Sequence, residues 1–196
     1  MEVAQDHDRR VGDERVRQGL LHTRTARDDE FADPLKAING WGWLDGGLDG
    51  KHVLCLAGGG GLQAPLYAAA GAKVTVVDIS QKMLERDRQV ADERGLELQT
   101  LATSMDDLPM LADASFDLAT QPVSTHYVLT LSKVFNEIAR VLRAGWQYLS
   151  QHIQPAKLQS ALMPLPHFYA VTGEYDAHGP VPPPHGHFSH PEQRPP

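Results

Sequence analysis

The feature that most constrains this chain is a run of four glycines, Gly58 to Gly61, placed directly after the apolar run KHVLCLA at 51–57. A short apolar run that ends in glycine reads as a buried strand. Glycines at its end admit positive φ and let a ligand approach the backbone closely. Residues 62–70 are rich in Ala and Leu and predict a short helix, with Pro65 tolerated in its first turn and Gly71 ending it. KVTVVD at 73–78 predicts a second buried strand. Ser80 can cap a helix over 81–94 that carries Met83, Leu84 and Val90 on one face and stops at Gly95. Further strands are predicted at 96–102, 116–120 and 146–153. A helix at 131–142 aligns Val134, Phe135, Ile138, Val141 and Leu142, and a turn is expected at Ala144 and Gly145. Strands that alternate with helices make parallel pairs joined by crossovers. The expected fold is therefore α/β, a three-layer sandwich around a mostly parallel, doubly wound sheet.

In such a sheet a ligand sits beyond the C-terminal strand ends. A glycine turn followed by a helix offers backbone N–H groups that favour an anion such as phosphate or carboxylate. Asp78, at the end of the second strand, can accept two hydrogen bonds from the vicinal hydroxyls of a ribose. Gly59, Gly61 and Ala64 also fit the spacing G-x-G-x-x-G/A, with Asp78 about twenty residues on. On the residues alone, a nicotinamide-dependent oxidoreductase and other adenosine-binding enzymes both stay open.

Composition narrows the partners. The 196 residues carry a formal charge of −7, which argues against a dedicated nucleic-acid binder. No apolar run is long enough to span a membrane, and the charged start has no secretory h-region, so a cytoplasmic protein is expected. One cysteine, Cys55, excludes an intramolecular disulfide or a multi-cysteine metal site. Three zones are expected: a charged, helical partial lid at 1–36, with Val16, Leu20 and Leu21 as a weak apolar stripe; a core at 37–154; and a tail at 155–196 that holds ten of the fourteen prolines. His185, His187 and His190 cluster in that tail without a scaffold, so no metal site is assigned. Trp41 and Trp43 could lid a ligand, although packing on the core is the commoner use of such residues. The adjacent Asp106 and Asp107 point in different directions and read as a turn or cap. His126, or the neighbouring Tyr127, could act as a base in the loop after the fourth strand.

Taken jointly, VLCLAGGGG at 53–61, AGAKVTVVDIS at 70–80, SMDDLP at 104–109, ASFDL at 114–118 and VFNEIARVLRAG at 134–145 resemble the class I S-adenosylmethionine-dependent methyltransferases, of the methyltransferase-11/25 type, in motif order and spacing. The resemblance implies a Rossmann-like fold and methyl transfer from S-adenosylmethionine to a small-molecule acceptor. It implies that Ala57, Gly58, Gly59 and Gly61 border the methionine part of the cofactor and that Asp78 holds the ribose. Ile79 and Met105 would pack on the adenine, Ser104 would bond its amino group, and Gln121 and Pro122 would line the methyl-donor end. Cys55 stands where the family commonly has an acid, Ala57 where it has a glycine, and Ser104 where it has an aspartate. A non-catalytic S-adenosylmethionine-binding or remnant protein is the second reading. The family's last two strands are expected to be incomplete, as in a chain truncated towards its C-terminus, because after residue 153 only 167–172 look extended. Strand five would then be a sheet edge, covered by the tail or open to self-association.

Overall fold

The computed structural model describes residues 2–18, 24–40, 42–44 and 46–152. Residues Trp41, Leu20 and Leu21, the histidine cluster at 185–190 and the extended segment expected at 167–172 lie outside them.

The core is a sheet of five strands, all parallel, in the order β3-β2-β1-β4-β5. The strands are β1 His52–Leu56, β2 Lys73–Asp78, β3 Leu98–Ala102, β4 Phe116–Gln121 and β5 Leu142–Ser150. Alternation along β1 builds the layers. Val53 and Cys55 face one apolar cluster with Val74, Val76, Ala64, Tyr67 and Leu84. Leu54 and Leu56 face the other, with Val77, Leu108, Val134, Ile138 and Val141. Both sides of β1 are therefore dry, as a central parallel strand requires. The first cluster is roofed by α4 Gln63–Ala69 and α5 Gln81–Arg94, and the second by α6 Leu131–Val141.

The helix ends follow the expected chemistry. The Ser80 hydroxyl accepts from Met83 N–H at the start of α5, and Gly95 at φ +64 closes its end. Strand five departs from expectation. It begins at Leu142, without a turn after α6, and three extra residues are looped out between the pairs Phe116–Leu142 and Leu118–Gln147. Gly145, at φ +82, absorbs that irregularity inside the strand. Among the described residues β5 is one of the two sheet edges, β3 being the other, and residues 144–147 of β5 are exposed.

The N-terminal zone folds as α1 Glu2–Arg17, α2 Asp28–Ala32 and α3 Pro34–Ile38. Helix α1 docks on the start of α5. The Asp13 carboxylate accepts from the Ser80 hydroxyl at 2.6 Å and from Lys82 N–H at 3.3 Å. The approach is tight: a Cβ on Gly12 would lie 2.9 Å from that of Ser80. Ala26 N–H donates to the Gly61 carbonyl at 2.8 Å, which joins the N-terminal zone to the glycine turn.

Candidate functional site

The glycine turn follows β1 directly. Ala57 takes φ +45, a left-handed conformation costing an L-residue roughly 1–2 kcal/mol, at the position where the resembling family has glycine. Gly59 admits no side chain, because a Cβ there would meet Met83 Cβ at 2.7 Å and Asp78 Oδ2 at 2.9 Å.

The turn's N–H groups do not point into open space. Gly59 N–H donates to Asp78 Oδ2 at 3.1 Å. Gly61 N–H donates to Asp87 Oδ1 at 2.8 Å, and Gly60 N–H is shared between Asp87 Oδ2 and the Met83 carbonyl, both at 3.2 Å. Three successive donors are thus taken by the chain's own carboxylates and carbonyl. The N–H groups of Gly59, Gly60 and Gly61 are therefore not free to cradle an anion.

Asp78 also departs from expectation. It is 9% exposed rather than open to a cleft, and its second oxygen accepts from Ser80 N–H at 2.8 Å. Burial pushes its pKa up to about 6, against the lowering effect of the Ser80 and Gly59 bonds. Asp87 is fully buried, and burial pushes it up to about 7 despite the bonds from Gly61 and Gly60. Sequence reasoning missed Asp87. Its signal was present, since it lies three residues from both Leu84 and Val90 on the buried face of α5 and is the one charge on that face.

Several cofactor-contact residues are engaged elsewhere. Met105 is buried in the second apolar cluster, and its sulfur accepts from Gln121 Nε2 at 3.0 Å. Gln121 is fully buried and also accepts from the Tyr148 hydroxyl. Its side chain is held by these two bonds at the floor of the cleft after β4. The Ser104 hydroxyl donates to Asp106, and Asp107 N–H to the Ser104 carbonyl at 3.1 Å, so the Asp106–Asp107 pair is a turn as expected. Ile79 is half-buried beside Asp78. His126 lies in a 3-10 turn, Thr125–Tyr127, while the Tyr127 ring packs against the second cluster.

A cleft opens at the C-terminal ends of β4 and β5, walled by Asn39, Trp43, Gln63, Tyr67, Thr120, Pro122 and Gln151 among others. Trp43 is 48% exposed there and does not pack into the core. Burial pushes the Tyr67 phenol up to about 12, so at neutral pH it is a hydrogen-bond donor and not a base. Gln63 Oε1 and the hydroxyl of the buried Ser124 lack a hydrogen-bond partner among the described residues. Next to Ser124, Val123 takes φ +29, a strained conformation for a β-branched residue. Neither Gln63 nor Tyr67 stood out in the sequence, where both read as ordinary residues of a short helix.

Residues 54–149 match the protein family described as a methyltransferase domain. They form a methyltransferase domain of the class I fold. Among curated relatives, the domain is similar to YbaJ of Bacillus subtilis, named an uncharacterized methyltransferase, at 44% identity over 108 residues, covering 55% of this chain and 42% of that protein. The ubiquinone biosynthesis O-methyltransferase of Paracidovorax citrulli is 33% identical over 144 residues, covering 70% of this chain and 60% of that one. The chain thus spans about half the length of these relatives. Among solved structures, an S-adenosylmethionine-dependent methyltransferase from Mesorhizobium loti superposes with a TM-score of 0.56 at 24% identity, over 66% of this chain and 58% of that one. A methyltransferase from Aquifex aeolicus does so at 0.53 and 19%, over 81% and 74%. These structures establish the same fold, and none of the four is an oxidoreductase. Among the described residues no group of histidine, cysteine and carboxylate side chains could hold a metal ion, and no helix is long and apolar enough to cross a membrane.

Proposed function

We propose that the chain binds S-adenosylmethionine at the ends of β1, β2 and β4 and transfers its methyl group to a small-molecule acceptor. The observation that carries this reading is the carboxylate lining of the glycine turn. A turn whose N–H groups are bound by Asp78 and Asp87 repels phosphate and suits a cationic ligand. S-Adenosylmethionine is such a ligand, and it supplies an electrophilic methyl on a sulfonium.

The residues fit the group. The methionine part would lie along the bare backbone of Gly58 and Gly59, with Ala57 and Gly61 setting the path of the turn. Asp78 retains acceptor capacity for a ribose hydroxyl beyond its two backbone bonds. Ile79 would cover the adenine, and Pro122 borders the donor end. The unpartnered Gln63 Oε1 can accept from an ammonium group. Tyr67 and Thr120, with the exposed Trp43, would hold the acceptor. Alignment supplies most of the rate in an in-line displacement, and His126 is the candidate base where the acceptor must lose a proton. The name of the Paracidovorax relative, an O-methyltransferase, favours a hydroxyl acceptor of small size.

The test is turnover. The full chain is incubated with S-adenosylmethionine and a panel of phenols, amines and carbon acids, and S-adenosylhomocysteine release is measured. Release that depends on one acceptor class supports the proposal. Cofactor binding without release on any acceptor favours the non-catalytic reading.

A further inference from the structure

The resembling family carries an acid at the position of Cys55, and this chain does not. Cys55 is fully buried in the first apolar cluster, directly under the turn, where a Cβ on Gly58 would lie 3.3 Å from its own Cβ. The nearest structural answer to the missing acid comes from another element. Asp87 reaches up from α5 and binds the N–H groups of Gly60 and Gly61. It lies close enough to Cys55 for its charge to hold the thiol further towards the protonated form, beyond the effect of burial. A helix residue thus places a carboxylate beneath the turn that a strand residue usually supplies.

We propose that Asp87 is a positioning and charge-selecting residue of the cofactor site: it fixes the glycine turn and makes it favour a positively charged ligand over a neutral one. This rests on the reading that the turn binds S-adenosylmethionine. Two physical points support it. An ionised carboxylate that accepts from backbone N–H groups keeps part of its field, and in a dry site that field is weakly screened. A second acid at position 55 would sit beside Asp87 and Asp78 in the same apolar layer, where like charges raise one another's cost of ionisation. The thiol at Cys55 is the compatible partner of an acid at 87.

A purely structural Asp87 would hold the backbone for any ligand equally, so the discriminating readout is the ratio of two affinities. S-Adenosylmethionine carries the sulfonium charge, and S-adenosylhomocysteine has the same shape without it. Both are titrated calorimetrically into the wild type, Asp87→Asn and the double variant Asp87→Asn, Cys55→Asp. Asp87→Asn is expected to weaken S-adenosylmethionine about tenfold and S-adenosylhomocysteine about twofold or less, as roughly 1.4 kcal/mol of lost charge attraction implies. The double variant should recover most of the lost ratio. Equal weakening of both ligands, or no recovery, overturns the proposal and leaves Asp87 a backbone clamp. A wild type that binds neither ligand overturns the cofactor reading itself. Should Asp87→Asn fail to fold, the ratio is followed in the wild type from pH 8 to pH 5.5. Protonation of the Asp87–Asp78 pair in that range should lower it. Cys55 and Arg88 also face Asp87, and Asp13 faces Asp78. A constant ratio overturns the proposal.

Discussion

The glycine turn after β1 and the loop after β4 are built on opposite principles. At the end of β1 every N–H of Gly59, Gly60 and Gly61 has an acceptor, and each acceptor is buried and held by a helix or strand. At the end of β4 the loop contains a strained Val123 and a Ser124 hydroxyl that, like the nearby Gln63 oxygen, lacks a partner among the described residues. The first region is finished without a ligand. The second leaves polar groups that cost free energy until something pairs with them. The difference separates a rigid platform from a recognition surface, and it predicts that substitutions in the two regions act on different observables.

The largest effect belongs to the platform. In Gly61→Ala the new Cβ would lie 3.0 Å from both Thr25 Cγ2 and Val90 Cγ2 and 3.3 Å from the Arg86 carbonyl, at φ +82. Backbone strain and overpacking together should cost about 3 kcal/mol, read as a lower denaturation midpoint. A near-neutral Gly61→Ala would show that the turn is not locked. Next in size is Asp78→Ala, which frees Gly59 N–H and Ser80 N–H. It should destabilise the ligand-free protein by about 1–2 kcal/mol and also weaken cofactor binding. A loss of binding at unchanged stability would mean that Asp78 belongs to the recognition side.

Legibility followed the same division. Strand β2 and helix α5 lie where the sequence places them, because the period of Val74, Val76 and Val77, the Ser80 cap and the Gly95 stop are all local signals. The start of β5 was misplaced. Gly145 reads as a turn when its neighbours are considered alone, and only pairing with Phe116 and Leu118 makes it a bulge. Met105 and Gln121 are assigned to the cofactor by their position after strands three and four, and that position does not show the sulfur–amide bond and the Tyr148 hydroxyl that fix them. Such a bond depends on two side chains sixteen residues apart, which no local pattern reveals. Asp87 was overlooked because an acid on a helix reads as solvated until its face is checked against Leu84 and Val90.

Acid–base behaviour gives a smaller effect. Asp78 and Asp87 titrate near 6 and 7 when folded and near 3.9 when unfolded. Their folded values are raised, so the stability they contribute is full below about pH 4 and is lost as pH rises through 6 and 7. The carboxylates held low, Glu30 at about 2 among them, are already ionised above pH 5 and do not mask the trend. Thermal midpoints should fall from pH 5 to pH 8, and Asp87→Asn should flatten the fall. A midpoint that rises over that range would contradict the assignment. The smallest stability effect is expected at Gln63→Leu, which removes an acceptor that has no partner. Stability should change by less than about 0.5 kcal/mol, while S-adenosylmethionine affinity drops severalfold. A large loss of stability would move Gln63 from recognition to platform.

The central claim is that the glycine turn, closed by Asp78 and Asp87, takes a cationic adenosyl ligand and refuses a phosphate. Calorimetric titration of the wild-type chain with S-adenosylmethionine and, separately, with NAD tests it most directly. The account predicts saturable binding of S-adenosylmethionine and no binding of NAD. Binding of NAD with no response to S-adenosylmethionine would contradict it.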